Sequence, residues 1–332
     1  MRAASPILLV LLTCEGAALA QPAPDYGFTW RTIGSPGNAP ASPADYFNLN
    51  APVGRVDYSY RLTQTEVTNT QFLPFIAAYV QFHPEALFDP GLSGDTIYPT
   101  TNDPAHPGWT IAHGAENAAA SMSWQYAARL CNWLQNGKAN TAAAFDSGVY
   151  DVSTFVHNPD GSWSGQATHA PGAQFWIPSY DEWTKGMHFD PNKNGSGPGY
   201  WLYPYMSDTV LPGGPPGTPG VYTSAGDYIY SGRRVFPAGS FPFAQSPWGL
   251  LDGSGGQSEW LDGSFFDGGD RAEAGASGEN MFPFLDDRLD YVRYWPPNID
   301  FGGIRLASTV PAAGTVAGLM PLGLVLLRRR RS

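Results

Sequence analysis

Glycine and proline recur so densely along this chain, 39 and 31 of its 332 residues, that long helices are excluded over most of it. Each interior glycine costs a helix about 1 kcal/mol relative to alanine, and each proline about 3 kcal/mol. Where the two cluster they set turns. What folds between them must be short elements tied by loops. The buried area then has to come from large side chains, and tryptophan, tyrosine and phenylalanine, 14% of the chain, can supply it.

A few segments carry clearer signals. Residues 56–68, VDYSYRLTQTEVT, alternate apolar and polar positions with β-branched and aromatic residues, which predicts a strand. Thr68 then opens a helix, with Gln71 three residues on to complete a capping box. Phe72, Phe75, Ile76 and Tyr79 give that helix one buried face. Ser123 is expected to cap a second helix, with Ala127, Leu130 and Leu134 on a common face. Ser179 and Glu182 make another capping box after Pro178. Residues 83–115 and 190–232 read as loops, 141–175 as short strands and turns, and the chain from there to Ala307 as irregular β-structure. Early helices followed by short strands predict an α+β fold, a single compact loop-rich domain with few short helices.

The two ends read as separate from that domain. Arg2, the apolar run Ile7–Leu12 and Ala18-Leu19-Ala20 have the order of a secretory signal peptide over residues 1–20. The alternative is a lipoprotein signal using Cys14. From Leu306 to Leu327 there is no charge, and Arg328, Arg329, Arg330 and Arg331 follow, so residues 309–332 can anchor in a bilayer with the arginines inside. Residues 21–308 are then expected outside the cytoplasm. The segment Val310–Thr315, the apolar stretch and the terminal arginines resemble the PEP-CTERM sorting signal of Gram-negative bacteria. That resemblance implies display at the cell surface or outer envelope, with the tail processed during sorting; an ordinary C-terminal anchor is the alternative.

Charge and sulfur narrow the chemistry. Net charge is −11, and the only lysines are Lys138, Lys185 and Lys193. Such a surface repels phosphate backbones, which disfavours nucleic-acid binding, and suits cations. With Cys14 in the signal segment, Cys131 is left alone, so neither an intramolecular disulfide nor a zinc-type cysteine cluster can form. The six histidines, His83, His106, His113, His157, His169 and His188, sit singly without metal-type spacing, and are expected to be solvated loop residues.

Five segments in order resemble the formylglycine-generating enzyme (sulfatase-modifying factor) family: Thr65–Phe72 (TEVTNTQF), Ser121–Leu134 (SMSWQYAARLCNWL), Trp176–Trp183 (WIPSYDEW), Pro247–Trp260 (PWGLLDGSGGQSEW) and Asn298–Ala307. The resemblance implies a compact fold related to C-type lectins. The family's oxidation uses two copper-binding cysteines shortly before the closing segment. Here residues 278–297 offer only Met281 as sulfur, so formylglycine generation is excluded and no copper is expected. The sulfoxide-synthase branch binds iron on an extra helical domain, for which this chain has no room. In the family the loop matching 252–259 holds calcium through two side-chain oxygens and two backbone carbonyls. That implies a site with Asp252 and Glu259 as carboxylates and Gly255 and Gln257 as carbonyl donors. Gly256 and Ser258 depart from the family's usual Asn and Trp there. Glu182, Trp183, Trp260 and Arg305 match positions of architecture, with Arg305 expected to pair with Glu259 or Asp252. The expected function is an exported, surface-displayed binding or structural module for a carbohydrate or peptide ligand. The rival is a metal-dependent oxidoreductase of the same family, with Asp, Glu, Tyr or His as ligands.

Overall fold

Three helices carry most of the helical structure, and each starts where a capping residue stands. The computed structural model describes residues 23–46, 48–100, 108–226, 235–264, 269–278, 282–299 and 302–311. Helix α1, Asn69–Tyr79, begins with the expected Thr68–Gln71 capping box and buries Phe72, Phe75, Ile76 and Tyr79. Helix α2, Trp124–Gln135, has Ser123 at its N-cap, but the serine side chain makes no capping hydrogen bond, contrary to the sequence expectation. Ser123 is buried, and its N–H donates to the Gly91 carbonyl at 2.8 Å. Helix α3, Tyr180–His188, carries the full Ser179–Glu182 capping box.

Seven strands build two antiparallel sheets: β1 Trp30–Ile33, β2 Tyr60–Thr63, β3 Phe175–Trp176, β4 Glu259–Trp260, β5 Arg271–Ala274, β6 Arg293–Trp295 and β7 Ala307–Thr309. The first sheet runs β1-β2-β7-β3, so the closing segment lies between elements from the chain's first two-thirds. The second runs β4-β5-β6. The strand expected over 56–68 is confined to β2, whose four residues are all buried. A strand covered on both faces has no solvent side, so the alternation in the sequence marked only part of its environment. Arg61 lies in it, bonded to Asp25 at 2.8 Å and stacked over the Trp30 ring at 4.7 Å. The expected loop 83–115 also differs: it carries a ribbon in which Ile97–Pro99 pairs with Trp109–Ile111.

Aromatic side chains fill the core as the composition requires. Phe75 meets Phe72 stacked at 5.2 Å and Trp133 edge-on at 5.9 Å, which joins α1 to α2. Trp124, Trp183 and Trp260 are fully buried, and each indole N–H has a partner: the Leu261 carbonyl, the Glu259 carboxylate and the Met122 carbonyl. Burying each such ring contributes roughly 1.5–3 kcal/mol, and the indole bonds remove the cost of hiding its donor. Ala23–Val310 form one compact unit. The expected signal peptide and nearly all of the sorting tail lie outside the described residues. Among the described residues no helix is long and apolar enough to cross a membrane.

Candidate functional site

The loop between Pro247 and Trp260 is pinned to the strands around it. Leu251 N–H donates to the Gln64 carbonyl at 2.8 Å, and Trp260 N–H to the Gly303 carbonyl at 3.0 Å. Between these anchors the backbone turns through positive φ at Asp252 (57°), Gly255 (95°) and Gly256 (64°). Aspartate tolerates that region better than most side chains. At Gly256 only glycine fits, since a Cβ there would run into the Glu66 carboxylate.

Glu259 and Arg305 form the buried ion pair at the base of this loop. Arg305 donates to Oε1 at 2.8 Å and to Oε2 at 3.1 Å, and Trp183 Nε1 donates to Oε2 at 2.8 Å. Arg305 also bonds the carbonyls of Thr63 and Leu251, so β2, β4, α3 and the loop meet on one guanidinium. Of the two partners the sequence left open, the structure selects Glu259.

A second carboxylate sits beside the loop. Glu66 comes from the turn between β2 and α1 and is 1% exposed. Its Oε1 accepts the Gln257 N–H at 2.8 Å, and its Oε2 has no hydrogen-bond partner. It lines a cleft of about 60 Å³ together with Asp252, whose Oδ2 accepts the Gly239 N–H at 2.5 Å. Ser224 lines the same cleft and accepts the Gly256 N–H at 3.1 Å. Phe236, Phe241, Ala118 and Ala119 form apolar walls. Burial holds Glu66 well above the usual carboxylate range, the charges of Asp252 and Glu259 push it further, and Arg305 offsets part of that. Burial also lifts Asp252, to about 6. Two carboxylates facing one small cavity cannot both ionise there cheaply.

The expected calcium set is only partly brought together. Asp252 and Gln257 line the cleft. Gly255 packs against Ser224, and its N–H donates to the Ala276 carbonyl at 2.6 Å. Glu259 has both oxygens committed to Arg305 and Trp183. Among the described residues, no group of three or more His, Cys, Asp or Glu side chains is arranged to hold a metal ion. Glu66, which lines the cleft with Asp252, is outside the site residues that the sequence singles out; its signal there is an acidic residue between a strand and a helix cap.

Cys131, His188 and His169 are each buried or paired. Cys131 is fully buried in α2, and burial pushes its thiol well up, which leaves it a packing residue. The histidines are not all solvated loop residues. His188 is buried at the end of α3 with Nδ1 at 3.1 Å from the Trp201 carbonyl, and burial drops it to about 3. His169 lies 2.7 Å from the buried Asp262 and stacks on Trp176. His106 falls outside the described residues. A wider groove of about 710 Å³ runs past Asn50, Asp181, Tyr291 and Tyr294.

No family model matches the chain, and no curated protein matches it. Solved structures that resemble it include CarF, at 16% identity over 86% of this chain and 99% of that one, with a TM-score of 0.48. Variable protein 1 of Treponema denticola is 16% identical over 85% of this chain and 95% of its own, with a TM-score of 0.46. PvdO from Pseudomonas aeruginosa is 13% identical over 85% and 92%, with a TM-score of 0.42.

Proposed function

We propose that this chain is an exported, surface-displayed binding module without catalysis of its own, whose ligand site is the cleft over Glu66 and Asp252. The observation that supports it most is the unpaired Oε2 of Glu66. A buried polar atom with nothing to bond costs folding free energy, and native proteins pair nearly all of them. An oxygen left open at the floor of a cleft is a place for a ligand from outside. The non-catalytic half rests on sulfur: Cys131 is sealed in the core, and the chain has no second cysteine beyond the signal segment. Export rests on the two terminal segments.

The test is a glycan and peptide array probed with the purified chain and with Glu66→Gln. Wild type is expected to retain a defined set of ligands that the variant loses. An array with no retained ligand, or one bound equally by the variant, overturns the binding half. Formylglycine produced from a sulfatase-motif peptide above a no-enzyme control, with or without copper, overturns the other half.

A further inference from the structure

Resting on the cleft as a ligand site, we infer that its ligand presents a primary ammonium group on an unbranched alkyl chain, held between Glu66 Oε2, Asp252 and Ser224. The cleft is not merely acidic. Glu66 is a fully buried side chain whose free oxygen is the one polar atom of that carboxylate left without a partner, and among the described residues no lysine or arginine lines the cavity. A cation seated between Glu66 and Asp252 favours the ionised form of both carboxyls, which burial and their mutual repulsion otherwise oppose; a neutral donor does not.

Two cation chemistries compete, and the walls decide between them. Calcium requires six to eight oxygens around it. Asp95, Thr96, Ser121, Ser224 and Gln257 line the cleft beside the two carboxylates, but among the described residues no three His, Cys, Asp or Glu side chains are arranged to hold a metal ion, and Glu259 is locked to Arg305. The rest of the lining includes Phe236, Phe241, Ala118 and Ala119, which give a metal ion nothing. An alkylammonium uses both halves. Its three N–H donors match the carboxylates and the hydroxyl, its methylenes lie on the apolar wall, and the aromatic rings add attraction for the charge. A cavity of about 60 Å³ holds the head group and little more, so the chain must lead out of the mouth. The same chemistry is offered by a lysine side chain or by a free alkylamine.

Isothermal titration of the purified full chain at neutral pH tests this with n-butylammonium, the uncharged 1-butanol, N-acetyl-lysine amide and calcium as separate titrants. Saturable one-to-one binding of butylammonium is expected, with none for butanol. Glu66→Gln should weaken it by about tenfold or more, the usual loss for a charge-assisted hydrogen bond. The same variant keeps a neutral side chain of the same shape that can still accept the Gln257 N–H, so its melting temperature should stay level, which separates lost binding from lost folding. Asp252→Asn provides a second variant with the same expected loss. Binding of the lysine amide as tight as butylammonium supports a protein lysine as the source; binding of butylammonium alone supports a free amine. No butylammonium binding, undiminished binding by both variants, or displacement of butylammonium by stoichiometric calcium overturns the inference. If the array retains ligands that lack an amine while butylammonium is silent, the binding module stands and the ammonium assignment falls.

Discussion

Asp287 shows how far burial alone can move a side chain in this protein. It is 1% exposed, accepts the Ala276 N–H at 2.8 Å and meets Ser254 Oγ at 2.5 Å, and burial lifts its carboxyl to about 8. Glu273, buried in β5, is lifted to about 7. A carboxyl whose folded pKa exceeds its unfolded value binds more protons when folded. Its stabilising effect is therefore complete below about pH 4 and is lost as pH rises through the folded value. His188 runs the other way, but only below its unfolded value of about 6.5. Lys185, lowered to about 8 by burial, acts only above that. Between pH 6.5 and 8 the carboxyls dominate, and unfolding free energy should fall by roughly 1 kcal/mol per pH unit. Asp287→Asn keeps an amide that can bond Ser254 and removes the titration. Urea denaturation at both pH values should find the slope shallower in that variant; an unchanged slope rules Asp287 out as its source.

At the scale of elements, the caps were legible because they are local. Thr68–Gln71 and Ser179–Glu182 each need only four consecutive residues. Ser123 stands at the N-cap without a side-chain bond, in a buried position whose N–H is held by the remote Gly91 carbonyl. Gly186 makes the same point within α3. Helix propensity favours alanine there by about 1 kcal/mol. In the fold, an added Cβ would lie 2.5 Å from Leu62 Cδ1 and 3.2 Å from Leu250 Cδ1, both leucines being buried. Overpacking a filled core costs about 1–3 kcal/mol, and both leucines belong to the main core cluster. Gly186→Ala is expected to lower the melting temperature by several degrees in a calorimeter. A rise would mean that α3 can shift off β2 and that propensity wins.

For the whole molecule, β7 decides where the chain can be cut. Sequence alone put the start of the tail at residue 309, but Thr309 pairs with Tyr60, and Ala307 joins β2 to β3. A truncation that removes residues 311–332 spares that sheet. Cells making it should release the body into the medium, while the full chain stays cell-associated. Identical fractionation of the two would show that the tail neither sorts nor anchors.

Composition and short-range pattern settled a good deal of this protein. Dense glycine and proline dictated short elements, the aromatic content dictated the kind of core, and the i, i+3, i+4 pattern from Phe72 to Tyr79 named the buried face of α1. These are statements about neighbours in sequence, where propensity and periodicity act. The cleft was beyond their reach. Glu66 and Gln257 are 191 residues apart and share a hydrogen bond only because β2 and the 247–260 loop pack side by side. Glu259 and Asp252 looked equally available to Arg305 until the fold turned Glu259 onto the guanidinium. Whether a carboxylate is paired, buried or left facing a cavity depends on what the rest of the chain brings to it, because charge and burial are set by every group within a few ångströms, whatever its place in the sequence.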